Sequence, residues 1–268
     1  MAIISTFCKK GGVGKSTFIG FLAHYYATQG KKVLIISTDD QNSIFKIFGI
    51  EDDGSDNYLE FLLAGKKDLG DILISAKRKG HEEEDANREN LYLIKSLNTD
   101  NMSLKLTLER SQEKVIRKML EEYSGFFDYI FVDFPPSSNR LTEVLLDMSD
   151  CILVVVGLDS LGLDGFFNTI QYFVDKDIDL KGIKYILPNG FCYNRRAPKI
   201  SLEKLTIQAK DFTPNAKILP ALTEKSIIKN LQAMGVSPFD DKELDRYDNR
   251  ERNALRESLI ELFKEIEI

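Results

Sequence analysis

The sequence predicts an α/β fold: a single-domain, mostly parallel twisted sheet with helices on both faces. Three observations carry that expectation. Short apolar runs of strand length alternate with longer stretches whose apolar residues recur at helical spacing. One run, Cys151-Ile152-Leu153-Val154-Val155-Val156, is apolar without interruption, as in a parallel strand covered on both sides. The first strand-to-helix connection is built on glycine, Gly11-Gly12-Val13-Gly14. No internal repeat and no Pro-, Gly- or Ser-rich linker divides the 268 residues, so one domain spanning 1–268 is expected.

Composition narrows the class. With 43% hydrophobic and 29% charged residues, the chain has the balance of a globular protein. No apolar run approaches the ~20 residues that cross a bilayer. The first residues show no basic segment followed by an apolar core, so no signal peptide is expected. Cys8, Cys151 and Cys192 form no Cys-x-x-Cys pair, which suits a reducing cytoplasm. The formal charge of −6 removes the simplest argument for nucleic-acid binding, although it permits a local basic patch.

The elements justify the fold in chain order. Ala2-Ile3-Ile4-Ser5-Thr6-Phe7 is a buried strand, and Phe18 to Tyr26 begins a helix. Between them stands Cys8-Lys9-Lys10-Gly11-Gly12-Val13-Gly14-Lys15-Ser16-Thr17. Glycines let successive N–H groups curl around an anion, and the helix behind adds unpaired donors and the positive end of its dipole. Lys15 is placed to reach the β- and γ-phosphates of a nucleotide, and Ser16 to ligate Mg²⁺. The usual phosphate-loop pattern has glycine where this chain has Lys9, and Lys10 stands at the loop entrance.

This loop closely resembles the deviant Walker A motif of the ParA/MinD family of dimerising P-loop ATPases. The resemblance implies ATP and Mg²⁺ as cofactors, with residues Lys10 to Thr17 holding the nucleotide. It also implies that Lys10 crosses to the nucleotide of a partner subunit in an ATP-bound homodimer.

The second strand, Lys32 to Ser37, leads into Thr38-Asp39-Asp40-Gln41. Ser37 replaces the first aspartate usual in the family, while Asp39 matches the one that orients the attacking water. The alternative for Asp39 is a cap on the next helix. Residues 43–74 suggest short helices, Ala76 to Asp85 an exposed charged loop, Leu91 to Ile94 a strand, and Leu104 to Tyr123 one amphipathic helix. That helix is expected to bury Leu104, Leu108, Val115, Met119 and Leu120. Asp128 to Asp133 is a strand ending in the Walker B pattern, where Asp133 holds Mg²⁺ through a coordinated water. A helix is expected over 159–176 and a strand over 183–189. Asn189 resembles the family's adenine reader, or is a turn-forming residue before Gly190. By the same resemblance Arg195 and Arg196 lie in a loop, and Pro220, after the strand 216–219, packs on the base. Helices are expected over 224–234 and 249–266, with Arg246, Arg250, Arg252 and Arg256 near the start of the last.

Within the family, the marks of other branches are missing. The C-terminal helix carries more Glu than Lys and Arg, against a membrane anchor; no paired cysteines suit an iron–sulfur cluster. The resemblance therefore implies a partition-type ATPase. It would bind DNA non-specifically as an ATP dimer, slowly hydrolyse ATP, and be released by a ParB-type partner. It would be cytoplasmic and nucleoid-associated when on DNA. The alternatives are an ATP-gated positioner of a protein cargo, or a metabolic ATP-dependent enzyme on the same core.

Overall fold

The computed structural model describes every residue except Met1, Asp52, Asp53, Asp56, Asn57, Arg110 and Ser160. The chain opens with β1 (Ala2–Phe7), α1 (Lys15–Thr28) and β2 (Val33–Ser37). Three short helices follow: α2 (Ser43–Ile47), α3 (Leu59–Leu63) and α4 (Leu69–Ile72). Next come β3 (Ile74–Ser75), β4 (Leu91–Ile94), α5 (Thr99–Leu108) and α6 (Ser111–Tyr123). The middle of the chain supplies β5 (Tyr129–Asp133), α7 (Arg140–Asp147), β6 (Cys151–Gly157) and α8 (Gly162–Asp175). The remainder is β7 (Ile183–Phe191), α9 (Arg196–Phe212), β8 (Lys217–Ile218), β9 (Leu222–Thr223), α10 (Ile227–Ala233) and α11 (Arg246–Lys264).

The strands form one sheet in the order β3-β4-β2-β5-β1-β6-β7-β8, with β9 also paired to β7. All pairings are parallel except β3 with β4. Alternation along each strand builds two cores. Leu34 and Ile36 of β2 join a core with α5 to α9, whereas Val33 and Ile35 join α1, α2, α10 and α11 on the opposite face. The expected α/β sheet with helices on both sides is therefore the observed fold. β1 lies centrally between β5 and β6, and register pairs both Thr6 and Ser37 with Asp133. The C-terminal edges of β1, β2 and β5 thus converge at one point, where open α/β sheets hold their ligands.

Several expectations change. The stretch 104–123 is two helices, because Glu109 is extended (φ −127°, ψ 90°); the adjoining Arg110 lies outside the described residues. Leu104, Leu108 and Val115 are exposed, and the buried face is Met102, Leu106, Ile116, Met119, Leu120 and Tyr123. Arg196 begins a 17-residue helix instead of lying in a loop. The charged stretch after Ala76 is folded into the protein, not exposed throughout. The backbone N–H of Arg78 and its guanidinium donate to Asp85, whose side chain is fully buried. Arg88, also fully buried, reaches Asp240 on the far side of the chain.

Candidate functional site

β1 delivers the chain directly into the glycine loop. Gly12 and Gly14 take positive φ (72° and 95°), which a side chain would resist, and Gly14 occupies the N-cap of α1. Among the described residues, no backbone N–H from Gly11 through Thr17 donates to an acceptor. They are the orphan donors of a helix N-terminus and of the turn before it. Asn189 braces the loop from β7, its Nδ2 donating to the Val13 carbonyl at 2.8 Å.

These donors open on a cavity of about 410 Å³. Gly11, Gly12, Gly14, Lys15, Ser16 and Thr17 form its floor, and Asp39, Ser43, Lys46, Ile47, Phe134, Pro136 and Gln232 line the remainder. Lys15 is nearly buried and its Nζ donates to the Lys10 carbonyl at 3.0 Å. Burial pulls its pKa down, and Cys8, Asp133 and Asp39 oppose that pull. Cys8, buried against the loop, has its thiol pushed up by desolvation.

Ser16 Oγ donates to Asp133 Oδ1 at 3.0 Å. Asp133 is fully buried, which pushes its carboxyl up to about 7; Asp39 adds to the rise while the Ser16 bond and Lys15 oppose it. Its second oxygen, Oδ2, is buried without a hydrogen-bond partner among the described residues. A hydrated divalent cation at Ser16 fits this donor set, because it would satisfy the orphaned oxygen and favour the ionised carboxylate. No cluster of three or more His, Cys, Asp and Glu exists among the described residues, so water or phosphate oxygens would make up the rest of such an ion's shell.

Asp39 lines the cavity, and its Oδ1 accepts from the Gln41 backbone at 3.0 Å. Asn42, not Asp39, holds the N-cap position of the helix after it, without a side-chain capping bond. Lys10 Nζ donates to Asp159 Oδ1 of its own chain at 2.6 Å, an exposed pair that draws the Asp159 carboxyl down. Asn189 and Pro220 do not line the phosphate cavity. Register pairs Asn189 with Leu222, so the end of β7 meets the segment that carries Pro220, and Pro220 borders a separate groove against α11. Of the C-terminal arginines, Arg252 points inward to the carbonyls of Asp240 and Lys242. Arg256 lies over Phe239, and Arg246 and Arg250 are exposed. Lys46 and Gln232 escaped sequence reasoning. Their only signal was position on short helices remote from any motif.

The protein-family model AAA_31, described as an AAA domain, matches residues 1–181. The chain belongs to that family. Among curated proteins it is 25% identical to the sporulation initiation inhibitor protein Soj of Bacillus subtilis, over 98% of this chain and 97% of the relative. It is also 25% identical to the maintenance of carboxysome distribution protein A of Synechococcus elongatus, over 85% and 87% of the two chains. Among solved structures, a substituted McdA of Cyanothece in complex with ATP superposes with a TM-score of 0.73 at 20% identity, covering 98% and 97%. The ParA/MinD resemblance carried by the loop, with its Soj-like branch, is thereby shown.

Proposed function

We propose that the chain is a ParA-type ATPase that uses ATP and Mg²⁺ as a switch in partition or positioning. One observation carries the reading: among the described residues, a row of unbonded N–H donors and the buried Lys15 face a cavity that Ser16, hydrogen-bonded to the buried Asp133, also lines. The donors bind the phosphates, and Lys15 compensates the charge on the β- and γ-oxygens. Asp39, at the rim beside Lys15, orients the attacking water. Ser16 and Asp133 would hold Mg²⁺, which supplies charge neutralisation between the β- and γ-phosphates. Asn189 and Pro220 are the proposed adenine side.

Lys10 is the proposed link between copies. Exchanging Asp159 for a triphosphate on a partner subunit would join two chains face to face, and hydrolysis would release them. Non-specific DNA is the proposed track. Lys229 of α10 and Arg246 and Arg250 of α11 are exposed on helices joined by an Asn230–Asp248 contact. A ParB-type partner is proposed to accelerate turnover. The proposed compartment is the cytoplasm. The apolar face of α11 (Leu255, Leu259, Leu262 and Phe263) is buried in the core, which leaves it no free face for a membrane.

Light scattering in Mg·ATP and in Mg·ADP tests the switch: a doubled molar mass is expected only in ATP, and equal masses contradict it. A gel shift on arbitrary duplex DNA, stronger in ATP and lost with salt, tests the track. The carboxysome-distribution relative and the net charge of −6 favour, as second reading, an ATP-gated positioner of a protein cargo. Dimerisation by ATP without any DNA shift at low salt would select it.

A further inference from the structure

Gln232 lies at the end of α10, on the wall of the phosphate cavity, and its Nε2 donates to Thr17 Oγ1 at 2.8 Å. A helical threonine ordinarily turns its hydroxyl proton onto the carbonyl one turn back. For Thr17 that carbonyl is Val13, which already accepts from Asn189. Thr17 makes no such bond here; its oxygen accepts from Gln232, and its proton has no acceptor among the described residues. The hydroxyl sits in the first turn of α1, beside the unbonded N–H groups, on the floor of the cavity.

We propose that Gln232 is a positioning residue: by occupying the acceptor side of the Thr17 hydroxyl it makes Thr17 a donor to a phosphate oxygen, and so couples helix α10 to nucleotide occupancy. The inference rests on the nucleotide reading of the loop and deepens it. A hydroxyl that donates to an anion becomes a better acceptor, because hydrogen bonds in a chain polarise one another. Bound phosphate therefore tightens the Gln232–Thr17 bond and holds α10 more firmly on α1. A carboxylate at 232 reverses the arrangement. It would accept the Thr17 proton and add a negative charge beside the phosphates.

Calorimetric titration of Mg·ATP into wild type, Thr17→Ala, Gln232→Ala, the double variant and Gln232→Glu tests the proposal, with thermal melts confirming that each is folded. Gln232→Ala is expected to weaken binding about five-fold, the scale of one hydrogen bond. Gln232→Glu is expected to weaken it further, and the double variant to bind no worse than Thr17→Ala alone. Hydrogen exchange supplies the second readout: Mg·ATP should increase amide protection over Ile227–Ala233 in wild type but not in Thr17→Ala. Additive losses in the double variant, wild-type affinity in Gln232→Glu, or unchanged protection of α10 each overturn the coupling. Failure of wild type to bind Mg·ATP overturns the nucleotide reading and the coupling together, and so is told apart from failure of the coupling alone.

Discussion

Arg88 and Lys15 are both buried cations, 0% and 6% exposed, but their surroundings are finished to different degrees. All five guanidinium donors of Arg88 are used. They reach both oxygens of Asp240 and the carbonyls of Phe48, Ala76 and Gly235 at 2.5 to 3.0 Å. Gly49 and Gly235 permit this closure, since a Cβ on Gly235 would stand 2.4 Å from the Gly49 backbone. Among the described residues, Lys15 has a single hydrogen-bond partner, its neighbours' N–H groups have none, and the carboxylate behind it keeps one oxygen unpartnered. A buried charge with every donor matched is architecture. One whose neighbours are unmatched has donors suited to an anionic ligand, because the desolvation it suffers is only partly offset by Cys8, Asp133 and Asp39.

The contrast is broken most severely at the closed knot. Arg88→Met leaves Asp240 buried without its cation and should cost about 3–5 kcal/mol in urea unfolding, with Mg·ATP affinity of the folded fraction unchanged. A loss below about 1 kcal/mol would show that the knot does not behave as one unit.

His24 extends the knot. It is fully buried and shares Ser237 with it at 2.8 Å, and burial pushes its pKa down to about 4, with Asp240 opposing and Arg88 assisting. The unfolded chain protonates near 6.5, so the contribution is complete above that pH and is lost as pH falls toward 4. Wild type should therefore lose about 3 kcal/mol across that window from this group, at 1.36 kcal/mol per pH unit. Denaturant titrations at several pH values should show this slope, and His24→Gln should flatten it.

At the open site the sign reverses. Asp133→Asn removes a charge whose burial Ser16 and Lys15 offset only in part, and should raise nucleotide-free stability by about 1–2 kcal/mol while abolishing the Mg²⁺ dependence of nucleotide binding. Paired melting and binding curves check both halves. The smallest effect belongs to Asp159→Ala, which removes an exposed ion pair and should change stability by less than about 1 kcal/mol.

What the sequence disclosed follows the same division. The loop and Asp133 were legible because their chemistry is contiguous: glycines, lysine and hydroxyl in one run, and an aspartate closing one strand. The knot was not, since Arg88 and Asp240 stand 152 residues apart and the stretch before Arg88 has the composition of a solvated loop. Gln232 meets Thr17 across 215 residues for the same reason. Periodicity also misled at Leu104, Leu108 and Val115. Their spacing is helical, but the extended Glu109 separates two helices, and these side chains lie on the outside. Arg252 clusters in sequence with Arg246, Arg250 and Arg256, yet tertiary structure spends it on two carbonyls.

The unmatched donors around Lys15 are proposed to hold the nucleotide. Calorimetry of Mg·ATP with wild type and Lys15→Ala tests this most directly. Binding at one site per chain in wild type, and none detectable in a Lys15→Ala protein that melts no lower, is the predicted result. Equal affinity in the two proteins would contradict it.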